Sequence, residues 1–225
     1  TCYDAVFGPL MKKLKKSIDY DEGFYKRYIA LAGSLNLDDV EDIKLAKSSV
    51  AKALGVTIED LDERTKMIEG VYAIADHTKT ILLAVTDGLL PSNVGGGYNL
   101  RVVLRRALGF IDELGIDLDV NNVLKMHSRY LEGFNPKLRE RLSEVQEIVD
   151  VEKKKFAETK ERSRRIVLNV LEGGKELDST RLIELYESYG ITPEMIEKIS
   201  SEKGMSLNIP DVYTKLTERH MTEKL

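Results

Sequence analysis

The stretch "ERTKMIEGVYAIADHTKTILLAVTDG", residues 63–88, constrains the fold more than any other part of the chain. Met67, Val71, Ile74, Ala75, Thr78, Leu82 and Val85 recur at steps of three and four, the period of a helix face. A helix of about 25 residues this apolar needs partners packed against it. The spacing therefore predicts the central core helix of an all-α fold. The wider composition agrees. The apolar set is Leu, Ile, Val and Ala and the polar set Glu, Lys and Arg, a helix-forming palette, and five prolines leave room for long helices. With 42% apolar and 32% charged residues, the chain can pack a core beneath a charged surface and is not expected to be disordered.

Other elements emerge from the same periodicity. A first helix is predicted from Asp4 to about Ser17, with Val6, Leu10, Leu14 and Ile18 on one face and lysines 12, 13, 15 and 16 crowding its end. Residues 21–61 form a compact helical section. One helix carries Phe24, Tyr25, Tyr28, Ile29 and Leu31 and ends at Gly33; one or two more carry Val40, Ile43, Leu45, Val50 and Leu54, with Gly55 as C-cap. Gly88 ends the core helix. The next runs from about Tyr98 to Leu114, with Leu100, Val103, Leu104, Ala107, Leu108, Ile111 and Leu114 buried and Arg101 and Arg105 sharing an exposed side. Residues 137–172 read as one helix, about 50 Å long at 1.5 Å per residue. Its ends carry apolar stripes (Leu138, Leu142, Val145, Val149, then Ile166, Val167, Val170, Leu171), while its middle, "EKKKFAETKERSRR", is polar on all sides. Such a helix bridges two packed bodies, which puts a boundary near residues 152–165. Three short helices come after Gly173-Gly174: one capped by Asp178, one opened by Thr192-Pro193, and a last one after Pro210.

Several function classes are excluded. His77, His127 and His220 are scattered, with no partner at metal-ligand spacing and no activated nucleophile beside them. Asp76-His77 lies on the core helix, where His77 reads as a hydrogen-bonded histidine near the core edge. The single cysteine, Cys2, rules out an internal disulfide and a cysteine metal cluster, which fits a reducing cytosol. No apolar run reaches the roughly 18 residues of a membrane span, and no secretory signal opens the chain. Residue 1 is Thr, so a piece of something longer is expected.

"LLPSNVGGGYNLRVVLRR", residues 89–106, does suggest chemistry. Its glycines are not a phosphate loop, because no Lys-Ser/Thr comes after them, and not a dinucleotide fingerprint, because no strand precedes. Gly95, Gly96 and Gly97 permit close backbone approach at the positive end of a helix. Asn93 supplies a donor and an acceptor, and Arg101 and Arg105 could hold phosphates. With a net charge of −4, any nucleic-acid contact has to be local. Lys12–Lys16, and Lys153–Lys155 with Arg162–Arg165, are better read as solvated helix faces.

"ADHTKTILLAVTDGLLPSNVGGGYNLRVVLRRALG", residues 75–109, resembles the tRNA-recognition region of the alanyl-tRNA synthetase family in its archaeal form. The family pattern is matched by Asp76-His77, Asp87-Gly88, Pro91-Ser92-Asn93, Gly97-Tyr98, Leu100-Arg101 and Arg105-Arg106. "LDSTRLIELYESYGITPE", residues 177–194, and "YTKLTERHM" near the end extend the similarity over essentially the whole chain. The opening "TCYDAVFGPLMKKL" resembles the family's segment just after the third class II signature motif. One departure stands out: Gly96 occupies a position where bacterial relatives usually carry an arginine.

The resemblance implies a division into residues 1–20, a linking helix after the catalytic domain; 21–160, the main tRNA-recognition subdomain, with 21–61 a lineage-specific insertion; and 161–225, a C-terminal helical subdomain. It implies a cytoplasmic ligase fragment that binds the acceptor stem of alanine tRNA, adjoins catalytic and editing domains, touches no membrane and is inactive alone. The fragment would need no cofactor; ATP, Mg and an editing-domain Zn would belong to the parent. In this family the identity signal is a G·U wobble pair. Its readers carry over to Asn93 and Asp178, the latter also a good helix cap, while backbone contact at Gly95, Gly96 and Gly97 with Arg101 and Arg105 stays the local reading for holding phosphates. A helical protein–protein interaction module is the alternative from another class.

Overall fold

A computed structural model describes residues 2–33, 43–172, 178, 180–182, 185 and 193–204. Among these the secondary structure is all helical, as the composition and periodicity predict. The helices are α1 (Cys2–Phe7), α2 (Pro9–Lys16), α3 (Glu22–Ala32), α4 (Ile43–Leu54), α5 (Ile58–Thr86), α6 (Gly95–Leu114), α7 (Val120–Leu131), α8 (Lys137–Glu140), α9 (Leu142–Glu172) and α10 (Pro193–Glu202). The chain gathers into two compact units, Thr1–Lys153 and Lys154–Leu225.

Helix α5 organises the first unit. It begins five residues before the predicted stretch because Thr57 and Asp60 close a capping box: the Asp60 N–H donates to Thr57 Oγ1 at 3.1 Å, and the Thr57 N–H to Asp60 Oδ2 at 3.4 Å. Its buried side runs through Leu61, Ile68, Val71, Ile74, Ala75, Thr78, Ile81, Leu82 and Val85, with Ile68 rather than Met67 fully inside. One end packs with Phe24, Val50 and Ala51 of α3 and α4. The middle meets Phe7, Leu10, Met11 and Leu14 of α1 and α2, Val123 of α7 and the nearby Ile116. The far end meets Leu100 and Leu104 of α6, Val120 and Leu124 of α7, Leu138 of α8, and Val145 and Val149 of α9. Burying each such Leu or Ile contributes about 1.5–3 kcal/mol. Its most extensive partner is α6.

Five local expectations are corrected. The predicted first helix is two, broken at Gly8, whose φ of +53° an L side chain resists. Its core face carries Phe7, while Val6 is exposed. Leu45 is exposed as well. Helix α7 is an element the pattern reading passes over, although Val120, Val123, Leu124 and His127 are buried at helical spacing. Residues 137–172 are not one uninterrupted helix: a step at Arg141 separates α8 from α9, and its guanidinium bonds the Thr86 carbonyl at the end of α5 and the Glu144 carboxylate. Val40 and the helix expected after Pro210 lie outside the described residues.

In the second unit Val167 and Val170 of α9, Leu182, Leu185, and Ile196 and Ile199 of α10 are buried. Arg164 pairs with Glu202. Asp178 caps a turn: the Arg181 N–H donates to its Oδ1 at 2.8 Å.

His127 is buried against Phe7, its Nε2 3.1 Å from the Thr78 hydroxyl. That hydroxyl spends its proton on the Ile74 carbonyl at 2.6 Å, so it accepts from the imidazole N–H. Burial lowers the His127 pKa from 6.5 to about 4. As pH falls below 6.5 the unfolded chain takes the proton and the folded chain does not, so stability is complete above that pH and declines toward pH 4. Denaturant titrations should therefore show a steeper wild-type decline over this range than His127→Leu shows, by up to about 1.4 kcal/mol per pH unit; equal slopes would contradict this. Gly8 also sits against Tyr130, whose ring would lie 2.4 Å from an added Cβ and whose hydroxyl donates to the Ala5 carbonyl at 2.8 Å. Gly8→Ala is predicted to cost about 1–3 kcal/mol of unfolding free energy by denaturant titration.

Candidate nucleic-acid interface

The turn between α5 and α6 is closed by short-range hydrogen bonds. The Leu89 N–H reaches back to the Ala84 carbonyl at 3.0 Å, and the Ser92 N–H donates to the Gly97 carbonyl at 3.0 Å. The Ser92 hydroxyl donates to the Val94 carbonyl at 2.8 Å. These bonds fold Pro91-Ser92-Asn93 over the first turn of α6 and leave Asn93 exposed at its crest.

The three glycines are not a loop before the helix, as predicted, but its first turn. The helix begins at Gly95, with φ +57°, rather than at Tyr98. Val94 at the cap position has no side-chain acceptor, so it caps none of the first N–H groups there. That leaves the positive end of the helix dipole facing outward. Gly95 and Gly96 are exposed, whereas Gly97 is buried beneath the turn. A Cβ on Gly97 would lie 2.4 Å from the Leu90 carbonyl oxygen and 2.3 Å from Ser92 Oγ, so only glycine lets the turn close. Leu90, Val94 and Tyr98 are exposed around the same crest.

Arg101 departs from the expectation that it shares an exposed side with Arg105. Its side chain is only 15% exposed and is forked onto Glu152 of α9: Nε donates to Oε2 at 2.9 Å and Nη2 to Oε1 at 3.1 Å. The remaining terminal nitrogen, Nη1, donates to Asn93 Oδ1. The reason is the carboxylate: Glu152, 3% exposed, draws the guanidinium inward. Arg105, one turn on, is half-buried, with its Nε enclosed and unpartnered, and Arg106 is exposed.

Glu152 is the residue that sequence reasoning missed. It lies in the run taken as polar on all sides, yet it falls three residues beyond Val149 and seven beyond Val145, the next position on their buried stripe. That register was the available signal. The structure thus brings Asn93, the glycines and Arg101 together in the first unit, while Asp178 lies in the second. Among the described residues no three His, Cys, Asp or Glu groups are placed to hold a metal, and no helix is long and apolar enough to cross a membrane.

The first unit thus presents an uncapped helix start, an exposed amide and, further along α6, the exposed Arg106. Comparison with known proteins gives the family. Residues 3–224 match the family described as tRNA synthetases class II (A), and the chain belongs to that family. It is similar to the alanine–tRNA ligases of Methanothermobacter thermautotrophicus (35% identical, 99% of this chain), Pyrococcus abyssi (33%, 100%) and Thermococcus kodakarensis (34%, 97%). The chain spans 26%, 26% and 25%, respectively, of the length of these relatives.

The two neighbouring glycines should respond oppositely to alanine. Gly97→Ala is expected to destabilise the chain by about 1–3 kcal/mol. At Gly96 an added Cβ meets nothing nearer than Leu89 Cδ1 at 3.7 Å, so Gly96→Ala should be neutral or stabilising by up to about 1 kcal/mol. Paired urea titrations check this, and a similar loss at both positions would contradict the geometry.

Proposed function

We propose that this chain is the acceptor-stem-binding part of an alanine–tRNA ligase of the archaeal type and that it reads a G·U wobble pair from the minor groove. The observation that carries the proposal is the Asn93 turn, exposed at an uncapped helix start in a chain whose alanine–tRNA ligase relatives match it over its full length. An A-form stem hides its major groove and displays a wide, shallow minor groove. Minor-groove edges are mostly degenerate, but in a wobble pair the guanine 2-amino group loses its cytosine partner. Arg101 fills one lone-pair direction of Asn93 Oδ1, leaving the second direction and the Nδ2 donors for the RNA. Asp178 is proposed as a further contact to the same stem, since one carboxylate oxygen caps its turn and the other can accept. Gly95, Gly96, Arg105 and Arg106 are proposed to hold phosphates, Gly97 to let the turn close beneath them, and Arg101 to act through Asn93.

On this proposal residues 1–20 lead from a catalytic domain, 21–160 form the main recognition part, with 21–61 an insertion, and 161–225 form a C-terminal part. ATP and Mg would serve the catalytic domain of the parent ligase and Zn its editing domain. The chain alone would bind tRNA without charging it, in the cytoplasm.

The test is a binding titration against two stem duplexes that differ only in a G·U or G·C pair. Asn93→Ala should reduce the wobble preference by about 1–3 kcal/mol. Arg105→Ala should weaken both duplexes alike and lower the salt slope by about one. Binding indifferent to salt, with no preference between duplexes, would favour the protein-interaction alternative.

A further inference from the structure

The Arg101–Glu152 pair is more than the packing of α6 against α9 requires. A buried ion pair costs desolvation on both sides, and well-packed apolar residues of similar volume hold two helices together equally well. What apolar residues could not do is fix a third hydrogen bond. The guanidinium is planar and rigid, so two bonds to one carboxylate set the direction of the remaining nitrogen. Here Nε and Nη2 are both committed to Glu152, and Nη1 meets Asn93 Oδ1. Glu152 is enclosed and lies on a different helix from the turn it serves.

From this geometry we infer that Glu152 is a positioning residue for base recognition: acting through Arg101, it fixes the Asn93 amide and so sets the preference of this chain for its RNA. The inference rests on Asn93 being a base contact. It also explains why an arginine at the edge of a phosphate-binding surface is turned away from it. Arg101 freed from Glu152 would be one more mobile cation for any phosphate, and binding without discrimination would rise. Loss of Glu152 should therefore affect discrimination more than affinity, the opposite of the effect of losing a phosphate-holding arginine.

The experiment is a double-mutant cycle on the full 225-residue chain, read as the ratio of dissociation constants for the G·C and G·U duplexes. Glu152→Gln keeps the volume but turns an amide donor toward the guanidinium; Arg101→Lys keeps the charge but loses the fork. Both should lower the wobble preference by about tenfold, the worth of one oriented base contact. Glu152→Gln should add nothing further on an Asn93→Ala background. Should Glu152→Gln lose helicity, the apolar pair Arg101→Met with Glu152→Leu replaces it, with the same loss of preference expected in a folded chain. If Asn93→Ala abolishes the preference while Glu152→Gln keeps it, or if the two losses add, the positioning role is overturned and the Asn93 contact stands. If the wild-type chain shows no preference, or Asn93→Ala keeps it, the base-reading proposal fails and takes this inference with it.

Discussion

The turn that carries Asn93 depends on a guanidinium that faces inward. Arg101 joins three parts of the first unit: α6, on which it sits; α9, which supplies Glu152; and the turn after α5, which supplies Asn93. Surface ion pairs contribute little because solvent screens them and their side chains are free to move. This pair is enclosed, bidentate and bonded at its third nitrogen, so it sets an orientation as well as joining two helices. The exposed amide is thus held by a buried charge pair, while the groups left facing outward are glycine backbone and the more distal arginines.

The glycine run acts at the same place by another means. Gly97 removes a Cβ that would collide with the Leu90 carbonyl, and this lets Ser92 close the turn onto the helix. Gly95 and Gly96 bring backbone N–H groups to the surface with no side chain in front of them. An unshielded helix start attracts an anion through the dipole and the uncapped donors together. On the proposed function, backbone and side chain would have separable parts, the glycines favouring phosphate and Asn93 a base edge.

The large features were legible from hydrophobic period alone. The stripes of α5, α6 and α9 were readable because apolar residues at steps of three and four leave few alternatives, and Gly33 and Gly55 marked helix ends, though only Gly55 does so with a left-handed backbone. Part of what escaped was decided by contacts distant in sequence. The break at Gly8 needs Tyr130, 122 positions away, to be apparent. The helical state of Gly95–Gly97 ran against propensity and was settled by hydrogen bonds from Ser92. Helix α7 was overlooked although its stripe was present. Glu152 was hidden because a charge among charges looks solvated, although its place on the Val145–Val149 stripe was a signal and its partner on α6 accounts for its burial. Asn93 was legible as a motif residue, but the bond that orients it was not.

The most direct test of the central claim is a crystal structure of this chain bound to a duplex carrying the G·U pair. The expected complex keeps Arg101 forked onto Glu152, Asn93 within hydrogen-bonding distance of the wobble pair, and phosphates against the Gly95–Gly96 backbone. Arg101 swung out onto a phosphate, with Glu152 abandoned and Asn93 away from the groove, would contradict it.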